Sequence, residues 1–254
     1  MRVLVCVKRV PAPGARINLT ENARAIDARH LSFTVSPHEE CAVEEAIRLK
    51  EIHGGSVTVM TLGPAESEEQ LRYAVSVGAD HAALIVTDGS DWDPQATAVA
   101  IAARVAEMEA TEGPFDLILF GNESADSGGY QVGIRVAHTL DRPIICGIKG
   151  VAVEEGLVTA RRDTGSGVEV YRLRLPAVVA VKEGINLPRY PTLPGRLKAK
   201  KADVMTTPAA ATPGGLVMKL LFTPAEQKTA TAILGRGPEA APAVVDLFEE
   251  LGLL

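Results

Sequence analysis

Short apolar runs alternate with longer amphipathic stretches through much of the chain. The runs fall at residues 2–7 (RVLVCV), 56–62 (SVTVMTL), 81–86 (HAALIV), 115–120 (FDLILF) and 177–181 (AVVAV). Each is short and flanked by turn-forming residues, as expected of strands buried on both faces; the last also suits a buried helix segment. Between them the period lengthens. Ser36-Pro37-His38-Glu39 predicts a helix start, with serine as cap, proline in the first turn and glutamate closing a capping box. Val43, Ala46, Ile47 and Leu49 supply its apolar face, and Gly54-Gly55 ends it. Further helices are predicted at 65–77, at 95–110 behind an Asp93-Pro94 cap, and at 130–140. Residues 16–35 read as irregular or hairpin-like, and a short strand is predicted at 143–146.

This alternation predicts an α/β fold: an open, mostly parallel, doubly wound sheet with helices on both faces and right-handed crossovers. The pattern then changes. Residues 151–153, 157–161 and 168–175 read as hairpin strands joined by Glu155-Gly156 and by 164–167 (TGSG), an antiparallel addition at one edge. The α/β domain is expected to span 1–204. From 205 to 254 the composition shifts to TTPAAATPGG and two apolar pieces, 216–222 and 243–254. This reads as an arm that packs on another subunit or back on its own domain.

Residues 186–194 (NLPRYPTLP) carry Pro188, Pro191 and Pro194, which exclude helix and stiffen the backbone. Leu187, Tyr190 and Leu193 cannot all find a core there. Arg196, Lys198, Lys200 and Lys201 follow as a solvated basic run. A stiff loop showing apolar side chains beside positive charge suits docking, because little entropy is lost on binding. An interdomain linker has the same composition.

Composition narrows the class. The 254 residues allow one large α/β domain or two small ones, and 46% hydrophobic content supports a sizeable core. A net charge of −6 without a broad basic stripe argues against a nucleic-acid partner. Cys6, Cys41 and Cys146 form neither a metal pair nor a disulfide framework, which fits buried thiols in a reducing compartment. No run is long enough for membrane insertion, and a strand-like start at Arg2 leaves no expected signal peptide.

The second chemical stretch follows the strand at 115–120: Gly121, Asn122, Glu123, Ser124, Ala125, Asp126, Ser127, Gly128, Gly129, Tyr130, Gln131 and Val132. Small residues between a buried strand and a helix start present backbone N–H groups to an anion beyond the strand ends. The stretch matches neither a P-loop nor G-x-G-x-x-G. The five histidines lack metal-ligand spacing, and Asp126 and Asp163 read as isolated carboxylates. Glu44-Glu45 reads as a solvated helix face. No catalytic set emerges, as expected of a carrier rather than an enzyme.

VCVKRV, AVEEAIRLKE, TLGPA, VGAD and the whole 176–201 segment resemble the electron transfer flavoprotein beta subunit, over roughly the first 205 residues. The resemblance implies a heterodimer with an alpha subunit that holds most of the redox FAD. It implies AMP in this chain, around Cys6, Ser36, Pro37, His38, Glu39, Leu62, Gly63 and the 121–132 loop. The Gln-Val-Gly ending is similar to that of bifurcating members, so FAD is the alternative occupant. Pro13 replaces a tyrosine that many members carry near the flavin. The 184–201 loop would meet dehydrogenases such as acyl-CoA dehydrogenases, with Leu193 as anchor, Tyr190 beside it, and Lys198 and Lys201 flanking. Electrons would continue to a quinone oxidoreductase. The implied location is the cytoplasm in a bacterium, or the mitochondrial matrix in a eukaryote. A stand-alone nucleotide-binding regulatory protein is the rival reading.

Overall fold

A computed structural model describes residues 1–210, 214–224 and 231–254. The chain divides into two units, Met1–Lys219 and Leu220–Leu254. In the first, the elements in order are β1 (Arg2–Cys6), β2 (Arg9–Pro11), β3 (Phe33–Val35), α1 (Pro37–His53), β4 (Ser56–Gly63), α2 (Glu68–Val77) and β5 (His81–Val86). Then come α3 (Pro94–Glu112), β6 (Leu117–Gly121), α4 (Val132–Thr139), β7 (Ile144–Ile148), β8 (Gly150–Glu154), β9 (Leu157–Thr164) and β10 (Gly167–Arg174). The series ends with β11 (Ala177–Val181), α5 (Leu193–Lys201) and β12 (Val204–Pro208).

Seven strands form one parallel sheet in the order β12-β5-β4-β1-β6-β11-β7. Its strands are hydrophobic on both faces because both faces are covered. Val3, Val5, Val59, Leu119 and Val179 share one core with Ala46 and Ile47 of α1 and Leu71 of α2. Their strand neighbours Leu4, Met60, Ile118, Phe120 and Val178 join Ile101 and Val105 of α3 and Val136 of α4 in the other. The two-residue period of a strand thus sorts its side chains between two helical layers.

The predicted hairpins form a separate three-stranded antiparallel sheet, β10-β9-β8. It follows edge strand β7 and packs Val153, Val158 and Ala160 into the α1-side core. Glu155 and Gly156 both take positive φ at the first hairpin turn, as a two-residue loop of type I′ requires. β2 and β3 pair antiparallel, with β2 lying ahead of the 16–35 region; within that region Leu19 and Ile26 form one antiparallel bridge.

Two expectations are corrected. Leu193 and Pro194 are not loop but the first turn of α5. A proline there removes only a donor that the first turn leaves unpaired, and Thr192 Oγ1 accepts from Gly195 N at 3.2 Å to cap the helix. The basic run therefore lies on a helix. The serine half of the capping box at α1 also fails to form: Ser36 is the cap residue but makes no side-chain capping bond, while its backbone N–H is among the groups that favour the Glu39 carboxylate.

β12 pairs with β5, so the sheet reaches Pro208. Of the TTPAAATPGG stretch, residues 211–213 lie outside the described residues. The second unit contains α6 (Ala241–Glu250), with Phe222, Ile233, Phe248, Leu253 and Leu254 exposed.

Candidate functional site

The order in which strands are added reverses between β1 and β6. From β1 the chain winds outward to β4 and β5, then crosses through α3 to β6 on the other side. Such a switch point leaves a crevice beyond the carboxyl ends of the strands. Here a cleft of about 240 Å³ occupies it, with Cys6 and Lys8 following β1 on one side and Phe120, Gly121 and Asn122 on the other.

Glycine makes the close approaches possible. A Cβ on Gly121 would come within 2.6 Å of Glu39 Cγ and 3.1 Å of Glu39 N, so only glycine lets the start of α1 lie against the end of β6. A side chain on Gly63 would likewise meet Ser67 Oγ.

Glu39 is buried at the cleft wall, and its Oε2 accepts from Lys8 N at 2.7 Å. Burial raises its carboxyl to about 8, partly opposed by the Lys8 N–H and the Lys8 charge. Asp126 is not isolated, because Lys8 Nζ pairs with it at 2.7 Å. Asn122 Oδ1 accepts from Gly147 N at 2.7 Å, tying the loop to β7. Ser124 and Ser127 hydroxyls lie 2.8 Å apart, and Gly128 N donates to Ser124 O at 3.0 Å. The loop then delivers α4, whose cap residue Gln131 makes no side-chain capping bond, so its first amides remain free for an anion.

The cleft brings together Cys6, Glu39, Leu62, Gly63, Gly121, Asn122, Glu123, Ser124, Ser127, Gly129, Tyr130, Gln131 and Val132. Ser36, Pro37, His38, Ala125, Asp126 and Gly128 do not line it. Ser36 Oγ donates to Glu123 O at 3.4 Å, and His38 Nε2 lies 3.6 Å from Glu123 Oε1, so both support the loop from behind. Burial, then the Glu39 charge, pushes the Cys6 thiol up, which makes it inert lining.

Sequence reasoning missed a third wall formed by Arg9, Ser67, Thr87, Ser90 and Trp92. These follow β1, β4 and β5, so the rule that ligands lie beyond strand ends would have found them. Three polar atoms on this wall, Ser67 Oγ, Trp92 Nε1 and Arg9 Nε, are buried with no hydrogen-bond partner among the described residues. Unpaired buried donors at a cleft suit a polar ligand, since leaving them unmade is costly. Among the described residues, no group of three His, Cys, Asp or Glu is arranged to hold a metal.

The second candidate feature is the proline-rich segment. Leu187 and Tyr190 are 89% and 90% exposed and Leu193 is 72% exposed, so none of the three finds a core. The residues between them are held tightly. Arg189 donates to Glu44 from Nε and Nη2 at 2.8 and 3.0 Å and to Glu51 from Nη1 at 2.6 Å. Asn186 Nδ2 donates to Glu45 Oε2 at 2.9 Å and to the Cys41 carbonyl at 3.0 Å. Glu44 and Glu45 are therefore buried partners of this segment, not a solvated face. Burial raises the Glu45 carboxyl, and the Asn186 bond opposes that shift.

The fold and cleft define a doubly wound α/β protein with a nucleotide-type crevice at its switch point. The electron transfer flavoprotein domain model matches residues 25–212. Proteins named electron transfer flavoprotein subunit beta are 40% identical over 169 residues in Bacillus subtilis and 36% identical over 208 residues in Mycobacterium bovis. These alignments cover 66% and 80% of this chain, and 65% and 77% of the relatives' own lengths. Protein FixA of Sinorhizobium fredii is 31% identical over 210 residues, 81% of this chain and 73% of that protein. The chain belongs to the electron transfer flavoprotein family, and its role is in electron transfer. Among the described residues, no helix is long and apolar enough to cross a membrane.

Proposed function

We propose that this chain is the beta subunit of a heterodimeric electron transfer flavoprotein that accepts electrons from dehydrogenases, such as acyl-CoA dehydrogenases, and passes them to a quinone oxidoreductase. The observation that carries this reading is the 186–193 segment: a half-buried ion pair to Glu44 and an amide hydrogen bond to Glu45 brace a backbone whose apolar side chains are left in water. A fold gains nothing by itself from that arrangement, whereas a pre-organised docking surface does.

AMP is the proposed occupant of the switch-point cleft. The uncapped start of α4 and the loop with Ser124, Ser127 and Gly129 suit its phosphate, and the unpaired Ser67 and Trp92 donors suit its polar edges. The nucleotide stiffens the sheet edge rather than turning over. FAD held mainly by the alpha subunit supplies the one- and two-electron chemistry when bound. This chain's own residues hold the nucleotide, buttress the partner and present Leu193. The exposed apolar residues of Leu220–Leu254 are proposed to pack on the alpha subunit.

Co-expression with the alpha subunit tests the reading. The purified pair should show a flavin spectrum with one FAD per heterodimer, and acid denaturation should release AMP detectable by mass spectrometry. A chain that purifies alone, without a flavin-bearing polypeptide, would overturn the carrier assignment. Release of a second FAD, or of no nucleotide, would overturn AMP.

A further inference from the structure

Residues 186–194 repeat one pattern, polar–apolar–proline, three times: Asn186-Leu187-Pro188, Arg189-Tyr190-Pro191, Thr192-Leu193-Pro194. The structure gives each position a job. The first residue of each triplet makes a specific polar bond: Asn186 to Glu45, Arg189 to Glu44 and Glu51, Thr192 to the Gly195 amide. The second is an exposed apolar side chain. The third is proline, which fixes φ and removes a donor that the exposed segment could not pair.

We infer that Asn186 and Arg189 are positioning residues that set out Leu187, Tyr190 and Leu193 as a three-rung apolar surface for the electron-donating dehydrogenase. This rests on the docking reading above. The occupant is an apolar groove with an acidic rim, because Arg196, Lys200 and Lys201 follow directly on α5. The positioning lies in geometry. Glu44 has a side chain only 6% exposed, so its charge has to be paired, and the Arg189 fork pairs it from two nitrogens at once. Arg189 N also donates to Glu44 Oε2 at 3.2 Å, which fixes the backbone beside Tyr190 as well as the side chain. Asn186 receives a weak return bond from Cys41 Sγ to its carbonyl at 3.7 Å. Free rotation is thus removed on both sides of each exposed residue, and the spacing of the rungs is set before any partner arrives.

The test uses the co-expressed heterodimer and an acyl-CoA dehydrogenase reduced by its own acyl-CoA. Replacing both partners, Glu44→Leu with Arg189→Leu, avoids leaving a buried charge unpaired. This pair should raise KM for the carrier roughly 10-fold while kcat stays within about 2-fold. In a background with Leu187, Tyr190 and Leu193 all changed to alanine the same pair should add no more than about 2-fold, because the clamp acts through the residues already removed. Arg189→Lys should rescue only part of the loss, since an ammonium cannot reproduce the two-pronged contact. An unchanged KM in the paired variant, or an equal rise in both backgrounds, would overturn the inference. If the paired variant does not fold, Glu51→Gln removes only the solvent-side arm and should raise KM about 3-fold; no rise overturns the inference. If Leu193→Ala alone leaves KM unchanged, the docking reading itself is wrong and this inference goes with it.

Discussion

Gly195 backs onto the carbonyl of Ser76, so that any side chain at 195 would overlap the last turn of α2. The contact is what lets α5 lie on α2. Arg72 of α2 completes it by donating to the Ala199 and Ala202 carbonyls at the end of α5. Gly195→Ala should force the two helices apart and destabilise the protein by about 1–3 kcal/mol, the usual cost of overpacking. Thermal denaturation should show a lower midpoint. An unchanged midpoint would mean that α5 is not held by this contact.

Glu39 predicts a pH dependence. Its carboxyl is raised to about 8 from an ordinary 4.5, mainly by burial. Between those values the folded state binds the proton and the unfolded state does not. The stability contributed by the neutral side chain is therefore complete below about 4.5 and falls as pH rises towards 8. Glu39→Gln keeps an acceptor for Lys8 N but has no proton to lose. Its stability relative to the parent should grow between about pH 5 and about pH 8.5, by up to roughly a few kcal/mol. Urea unfolding of the nucleotide-depleted proteins at both pH values measures it, and a constant difference would show that Glu39 is ionised throughout.

The architecture was legible because the parallel strands are buried on both faces, which leaves continuous apolar runs such as RVLVCV and AVVAV. The glycine-rich loop was legible for the same local reason. What stayed hidden were pairings across long sequence distances. Glu44 looks like any helical surface glutamate until Arg189, 145 residues later, is folded onto it. Asp126 looks unpaired until Lys8 reaches it. The cleft wall at Ser67 and Trp92 carries no motif, because its residues are defined by where β4 and β5 end and not by their order. The start of α5 was misread because a proline in a first turn and a proline in a loop look alike from sequence.

Trp92 offers a direct probe of that wall. It is the sole tryptophan of the chain, lines the cleft, and has a buried indole N–H without a partner among the described residues. A ligand that pairs with the N–H or stacks on the ring will change its surroundings. Titrating AMP into nucleotide-depleted protein should shift or quench tryptophan emission along a saturable curve, and Ser67→Ala should weaken that curve about 3- to 10-fold through loss of one buried hydrogen bond. Saturable AMP binding with unaltered emission would place the nucleotide away from this wall.

The basic residues of α5 differ in what they already hold. Lys198, Lys200 and Lys201 fall in its last turns, where positive charge complements the helix dipole and contributes about 0.3–1 kcal/mol without any partner. Lys198 is further engaged, donating to the Ala79 carbonyl at 3.2 Å and lying 3.9 Å from Asp80. Lys201 is exposed and appears in none of the ion pairs found among the described residues, which makes it the cleaner site for testing steering. Lys201→Glu should slow association with an acidic-rimmed dehydrogenase several-fold at low salt. The difference should vanish towards roughly 1 M salt, where the screening length falls to about 3 Å. Lys198→Glu should add a loss of thermal stability that salt does not restore in full, because it faces Asp80. Stopped-flow reduction rates across a salt series check this: a salt-independent loss for Lys201→Glu would remove steering from the docking mechanism.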